Sequence, residues 1–275
     1  MEIRHPANPE DFESYSTERM RREFLVQGLL VPGKIRLVYS HFDRMIVGGV
    51  CPQRPIPLGV SREMAVDFFL ERREMGVINI GPPGSIRVDG AVHELDTDEG
   101  LYIGRGAKKV VFASRDRRKP SRFYFASGPA HQSYPTTKIN AESTETTRLG
   151  SSGEANDRTI RKYIHPQGVP SCQLVMGMTV LAPGSVWNSM PCHTHARRME
   201  VYFYFRLPRE AVLFHFMGEP GRTRHLVVRN EEAVISPSWS IHSGVGTSNY
   251  AFIWGMLGEN QVFADMDPVA MGDLR

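Results

Sequence analysis

The chain has 275 residues, 41% of them hydrophobic, with 25 glycines and a formal net charge of +3. That length and apolar content can bury a large core in one or two β domains, which excludes a predominantly disordered chain. The small net charge argues against a nucleic-acid partner, because the one dense basic run, Arg115-Asp116-Arg117-Arg118-Lys119, sits beside a proline and reads as a solvated turn.

The amino terminus is polar as far as the proline at position 6, and no apolar run approaches the ~20 residues of a membrane span. Cys51, Cys172 and Cys192 are odd in number and lack paired spacing, so reduced thiols in the cytoplasm are the expectation. One helix is predicted from the Ser16-Thr17-Glu18 start through Leu25, with a hydroxyl cap and an early acid. The rest reads as strands. Ile35 to Tyr39, Met45 to Val47, Gly76 to Ile80, Ser85 to Val88 and Val110 to Ala113 are short, apolar or alternating, and bounded by Gly, Pro or Asp. Asp89-Gly90 between two apolar triplets is a hairpin signal, since glycine supplies a positive φ. Residues 135–158 shift to Thr, Ser, Glu and Gly and are expected to link a domain at 1–134 to one at 159–275. The fold class expected is all-β, with two jelly-roll barrels and a few short helices.

An internal repeat supports two similar halves. At an offset of about 125 residues, Phe68 to Ile78 falls under His193 to Phe203, with Arg72-Arg73 on Arg197-Arg198; at about 133, Asp98 to Gly104 falls under Glu231 to Pro237.

The second half carries the chemistry. His193 and His195 are two apart, so an extended backbone points both the same way, and the short connection to the apolar strand Val201 to Phe205 can bring Glu200 beside them. His242 ends a second apolar run, five residues after Pro237. Three imidazoles and one carboxylate suit Zn, Fe, Mn or Ni and leave coordination positions open. Isolated histidines such as His5, His41, His165, His215 and His225 read instead as packed or surface residues. Cys192 adjoins His193, but alternation points it to the other face. In the first half the four ligand positions hold Phe68, Leu70, Met75 and Lys109, so that half is expected to be structural, with Phe68 and Leu70 in its interior.

His-x-His-x4-Glu followed by Pro-x4-His resembles the paired metal motifs of the cupins, whose fold is a small jelly-roll barrel. Departures from the general pattern fall at Trp187, Leu207, Trp239 and Gly246. Longer stretches, Val38 to Gly49, Phe69 to Gly81, Met190 to Phe205, Ile235 to Thr247 and Phe252 to Val262, resemble the 5-keto-4-deoxyuronate isomerase family of pectin breakdown. This resemblance covers nearly the whole chain and is weakest at residues 1–20, 50–63 and the linker. It implies a bicupin, one Zn2+ per chain held by His193, His195, Glu200 and His242, and a homo-oligomer, a hexamer. It also implies a small-molecule uronate substrate, 5-dehydro-4-deoxy-D-glucuronate, converted to 3-deoxy-D-glycero-2,5-hexodiulosonate.

Such an aldose-ketose conversion needs a Lewis acid, a base and hydrogen-bond donors. The sequence does not fix the base: Glu200, the ligand carboxylate, is the candidate by swinging off the metal, with Tyr202 and Tyr204 on its strand face as donors; for both tyrosines core packing is the competing role. The uronate carboxylate calls for a cation, for which Arg161, Lys162, Arg197 and Arg198 are nearest in sequence to the motif, and the sequence does not choose among them. The alternatives are an isomerase acting on a deoxy-glucuronate from inositol breakdown, an iron dioxygenase using the same ligands, and a non-catalytic sugar-binding protein.

Overall fold

A computed structural model describes residues 1–275. The chain is built almost wholly of antiparallel strands, with two short α-helices, Pro9–Phe12 and Thr17–Phe24. The second helix starts where the sequence predicts: the Ser16 hydroxyl accepts from the Arg19 N–H at 3.2 Å, meeting one of the orphan donors of the first turn. It ends one residue early, because Leu25 turns into a strand that pairs with Val234.

The same sheet pair occurs twice. One seven-stranded sheet runs Glu2–Arg4, Ile35–Ser40, Ile46–Val50, Phe123–Pro129, Arg73–Asn79, Gly100–Ile103, Thr137–Ile139, beside a four-stranded sheet of Ile56–Pro57, Val110–Ser114, Gly84–Val88, Ala91–Leu95. The other runs Glu145–Leu149, Arg158–Ile164, Val175–Leu181, Ala251–Gly258, Arg198–Phe205, Glu232–Ser236, Leu25–Val26, beside Trp187–Asn188, Ser243–Gly246, Leu213–Met217, Arg224–Val228. Each pair is a jelly-roll unit. The registers reproduce both sequence offsets: Met75 lies opposite Ile103 and Glu200 opposite Ser236. Even the turns before the second strand match, with Asp98 at φ 66° and Glu231 at φ 63°. Asp89 and Gly90 have φ of 47° and 99° and join Val88 to Ala91, the two-residue turn expected.

The chain does not divide at single points. One compact unit comprises Met1–Ile3, Gly28–Thr144 and Tyr163–Met176; the other comprises Arg4–Gln27, Glu145–Lys162 and Gly177–Arg275. Most of the amino-terminal stretch therefore packs with the second unit, not with residues up to 134. Its aromatics explain why: Phe12 meets Trp239 at 5.3 Å and Phe24 at 5.6 Å between ring centroids, and Leu25–Val26 completes the sheet edge. Residues 135–158, expected as the linker, contain two strands. Thr137–Ile139 pairs with Gly100–Tyr102, and Glu145–Leu149 pairs with Arg158–Lys162 as a wholly exposed edge strand. Thr-rich polar sequence reads as a loop, but it also suits an edge, where neither face needs to be apolar.

In the first unit Phe69, Leu70, Met75 and Val77 lie in a core with Phe112, Phe123 and Phe125. Phe68 is only half-buried, so its neighbour Phe69 takes the interior position expected of it, while Lys109 is exposed. No helix is long and apolar enough to cross a membrane.

Candidate metal centre

Two strands and a turn bring four ligand-type side chains together in the second unit. His193 sits on the short strand His193–Thr194, which pairs with Asp267–Pro268 of the carboxy-terminal tail; Glu200 lies on Arg198–Phe205; His242 immediately precedes Ser243–Gly246. The coordinating nitrogens of His193, His195 and His242 lie within 4.8 Å of one another. His242 Nε2 is 3.0 Å from His193 Nε2 and 3.1 Å from Glu200 Oε2, which is 3.2 Å from His195 Nε2. Metal–ligand bonds of about 2.0–2.1 Å put neighbouring donor atoms about 3.0–3.4 Å apart, so the spacing fits a single divalent ion.

The far sides of the rings agree. His195 Nδ1 is 3.0 Å from the Arg198 carbonyl and His242 Nδ1 is 3.4 Å from that of Ser240. A carbonyl only accepts, so each proton sits on Nδ1 and each Nε2 turns its lone pair toward the cluster. Lone pairs and a carboxylate crowded at this separation repel unless positive charge lies among them. Burial, with the neighbouring His242, lowers the His193 pKa to about 3 and keeps that ring neutral. Burial opposes the Glu200 charge, but His242 and His195 outweigh it and hold the carboxyl well below its usual range. Burial likewise works against a charged His195, and there the Glu200 hydrogen bond and charge prevail and raise its pKa. Left to protein charges alone, the pair thus gathers a proton that a divalent ion would displace. Cys192 is buried, its pKa raised by burial, and it is not part of the cluster.

The cluster opens into a cavity of about 250 Å3. Its wall includes Ile160, Thr179, Ser189, Tyr202, Phe252, Trp254 and Phe263, together with two arginines, Arg158 and Arg198. That volume is below the about 300–1,000 Å3 common for drug-sized ligands and has room for a small molecule only. Tyr202 lines it with its hydroxyl 3.4 Å from Ser189 Oγ; burial raises its pKa well above the usual value, so it stays a protonated donor. Tyr204 does not line it. Two residues deeper on the same face, its hydroxyl is 2.7 Å from Nδ1 of His215, whose Nε2 is 3.3 Å from Ser236 Oγ. His215 is fully buried and kept neutral by that burial, with a pKa near 3, so Tyr204 belongs to a satisfied polar core and is not a donor to the cavity.

The four predicted cations also separate. Arg161 lies off the cavity, on the strand position between lining Ile160 and Lys162. Lys162 bonds Glu145 at 2.7 Å and lies 4.6 Å from the Phe263 ring centroid. Arg197 is spent on Asp265 and Asp267 at 2.7–3.0 Å. Arg198 lines the cavity but is buried, with Nη1 on the Val262 carbonyl at 2.6 Å and Nη2 on those of Phe263 and Asp265. Together Arg197 and Arg198 hold down the tail that supplies Phe263 and Met266 to the wall. Arg158, which sequence reasoning passed over, is the other guanidinium at the cavity; the signal available was its alternation with Ile160.

Residues 25–270 match the family model described as the KduI/IolB family. The chain is 56% identical over 276 residues to a 4-deoxy-L-threo-5-hexosulose-uronate ketol-isomerase of Caldicellulosiruptor bescii and 54% identical over 276 residues to one of Halalkalibacterium halodurans, each match covering 100% of both chains. Among solved structures it resembles an iolb-like protein from Salmonella typhimurium, with a TM-score of 0.64 at 12% identity over 79% of this chain and 84% of that one, a likeness of fold alone.

Proposed function

The chain belongs to the KduI/IolB family, and on that premise we propose that it interconverts 4-deoxy-L-threo-5-hexosulose uronate and its ketose isomer with one Zn2+ per chain. It is an enzyme of the ketol-isomerase class. The observation that carries the finer reading is the clustering of His193, His195, Glu200 and His242, the first three of which line one small cavity, in a chain more than half identical to enzymes of that name. A divalent ion held there supplies Lewis acidity toward a carbonyl oxygen and its neighbour. The protein does the rest. Glu200, held ionised, can take a proton from carbon; Tyr202, held protonated, can donate to the oxygen on which charge develops; Phe252, Trp254 and Phe263 keep water away. Further proposals are a place in pectin and uronate breakdown, a cytoplasmic location consistent with three free cysteines, and a homohexamer.

The test is turnover of the unsaturated-digalacturonate-derived keto sugar followed by NMR in deuterated water. Proton transfer by an exchanging carboxylate puts deuterium, at least in part, on the product carbon next to the new ketone, and chelation abolishes the reaction. Complete retention of the substrate hydrogen over many turnovers rules out an exchanging base, and absence of product rules out the substrate.

A further inference from the structure

The two guanidinium groups at the cavity are committed to different degrees. Arg198 has both terminal nitrogens on backbone carbonyls of the tail. Arg158 gives only Nη1, to the Asn156 carbonyl at 3.0 Å, while its buried Nε–H has no acceptor within the protein. The edge left open, Nε with Nη2, is the one that grips a carboxylate side-on with two parallel hydrogen bonds. This protein uses that grip elsewhere: Arg148 holds Asp157 through Nε at 2.8 Å and Nη2 at 2.5 Å, and Arg197 holds Asp265 through Nε at 2.8 Å and Nη2 at 2.7 Å. Arg158 has the same edge and no acid.

Its position is fixed by the fold. Arg158 opens the strand Arg158–Ile164, in register with Leu149, and Leu149 and Ile160 line the cavity beside it. Half-buried without a counter-ion, it is disfavoured in its charged form by desolvation, a cost that an incoming anion offsets. We infer that Arg158 binds the carboxylate of the substrate through its Nε–Nη2 edge, and that Arg161, Lys162, Arg197 and Arg198 do not. This rests on the reading above that the substrate is a uronate.

The experiment compares wild type, Arg158→Gln, Arg158→Lys and Arg161→Gln. Two readouts are taken: kinetics on the keto-deoxyuronate, and calorimetric binding of D-glucuronate against D-glucose as charged and uncharged probes. Losing a bidentate charged pair should raise KM and the glucuronate Kd by about 10- to 100-fold in Arg158→Gln. In that variant kcat stays within a few-fold, and glucose binding and metal content are unchanged. Arg158→Lys falls between, because lysine keeps the charge without the fork, and Arg161→Gln behaves as wild type. An active wild type whose KM and glucuronate Kd move less than twofold in Arg158→Gln overturns the inference alone, as does equal loss of glucose binding or loss of metal. A wild type that binds glucuronate through Arg158 but does not isomerise the keto sugar leaves the inference standing and removes the proposed reaction.

Discussion

Replacing His195 by alanine is expected to lower bound metal from about one equivalent per chain to near zero and to cut turnover by about a thousandfold or more, the scale of several kcal/mol of Lewis-acid assistance. His195 supplies one of four donor atoms, and its Nδ1–H on the Arg198 carbonyl fixes the ring, so nothing nearby can replace it. The fold should persist, since Val201, Phe203, Phe205, Ile253 and Leu257 lie on the opposite face of the same two strands and are buried without taking part in the site. Metal analysis and circular dichroism check both halves of the statement. His193→Ala, at a partly exposed position, gives the same answer if the buried variant misfolds. Full occupancy in either folded variant defeats the ligand assignment. So does a second tight metal in wild type traced to residues 60–110, where Leu70 and Met75 occupy the equivalent positions and offer no donor.

The ligand set was legible because its rule is local. Strand alternation orients His193 with His195, and the offset of about 125 residues exposes Phe68 and Leu70 as their empty counterparts and Met75 as that of Glu200. The offsets were readable for the same reason: paired positions such as Met75 with Ile103 and Glu200 with Ser236 recur in both units. Depth is not local. Tyr202 and Tyr204 share a face, and only the packed barrel distinguishes the one at the cavity from the one bonded to His215. Charge partners are not local either. Arg197 and Arg198 look free for substrate until the tail folds back more than sixty residues later in the sequence and occupies them. Arg158 is hidden in the sequence because it is the last residue of the stretch 135–158 that reads as a linker, which separates it from Ile160, with which it shares a strand face.

The non-contiguous composition of the first unit turns on a residue that the repeat pattern makes unremarkable, since Glu74 falls under Met199. Glu74 is fully buried, and its carboxylate accepts from the backbone N–H groups of Cys172, Gln173 and Leu174 at 2.7–2.9 Å and from the Tyr102 hydroxyl at 2.7 Å. Burial first, and then the Glu74 charge, raise the Tyr102 pKa, so that hydroxyl remains a donor. Four donors therefore converge on one carboxylate and tie Tyr163–Met176 to this unit. Alanine at position 74 would strand them all in a dry interior, and the expected cost is about 3–5 kcal/mol, the range for removing one partner of a buried charged network. For a chain of this size that corresponds to a fall of about 10 °C in the midpoint of thermal unfolding. Glu74→Gln should cost less: its carbonyl keeps some of the bonds, but its amide adds two donors where only acceptors are useful. Amide hydrogen exchange at residues 172–174 should accelerate in both variants, more in the alanine. A Glu74→Ala protein within about 1 kcal/mol of wild type, with those amides still protected, would mean that the segment is held by its apolar contacts alone.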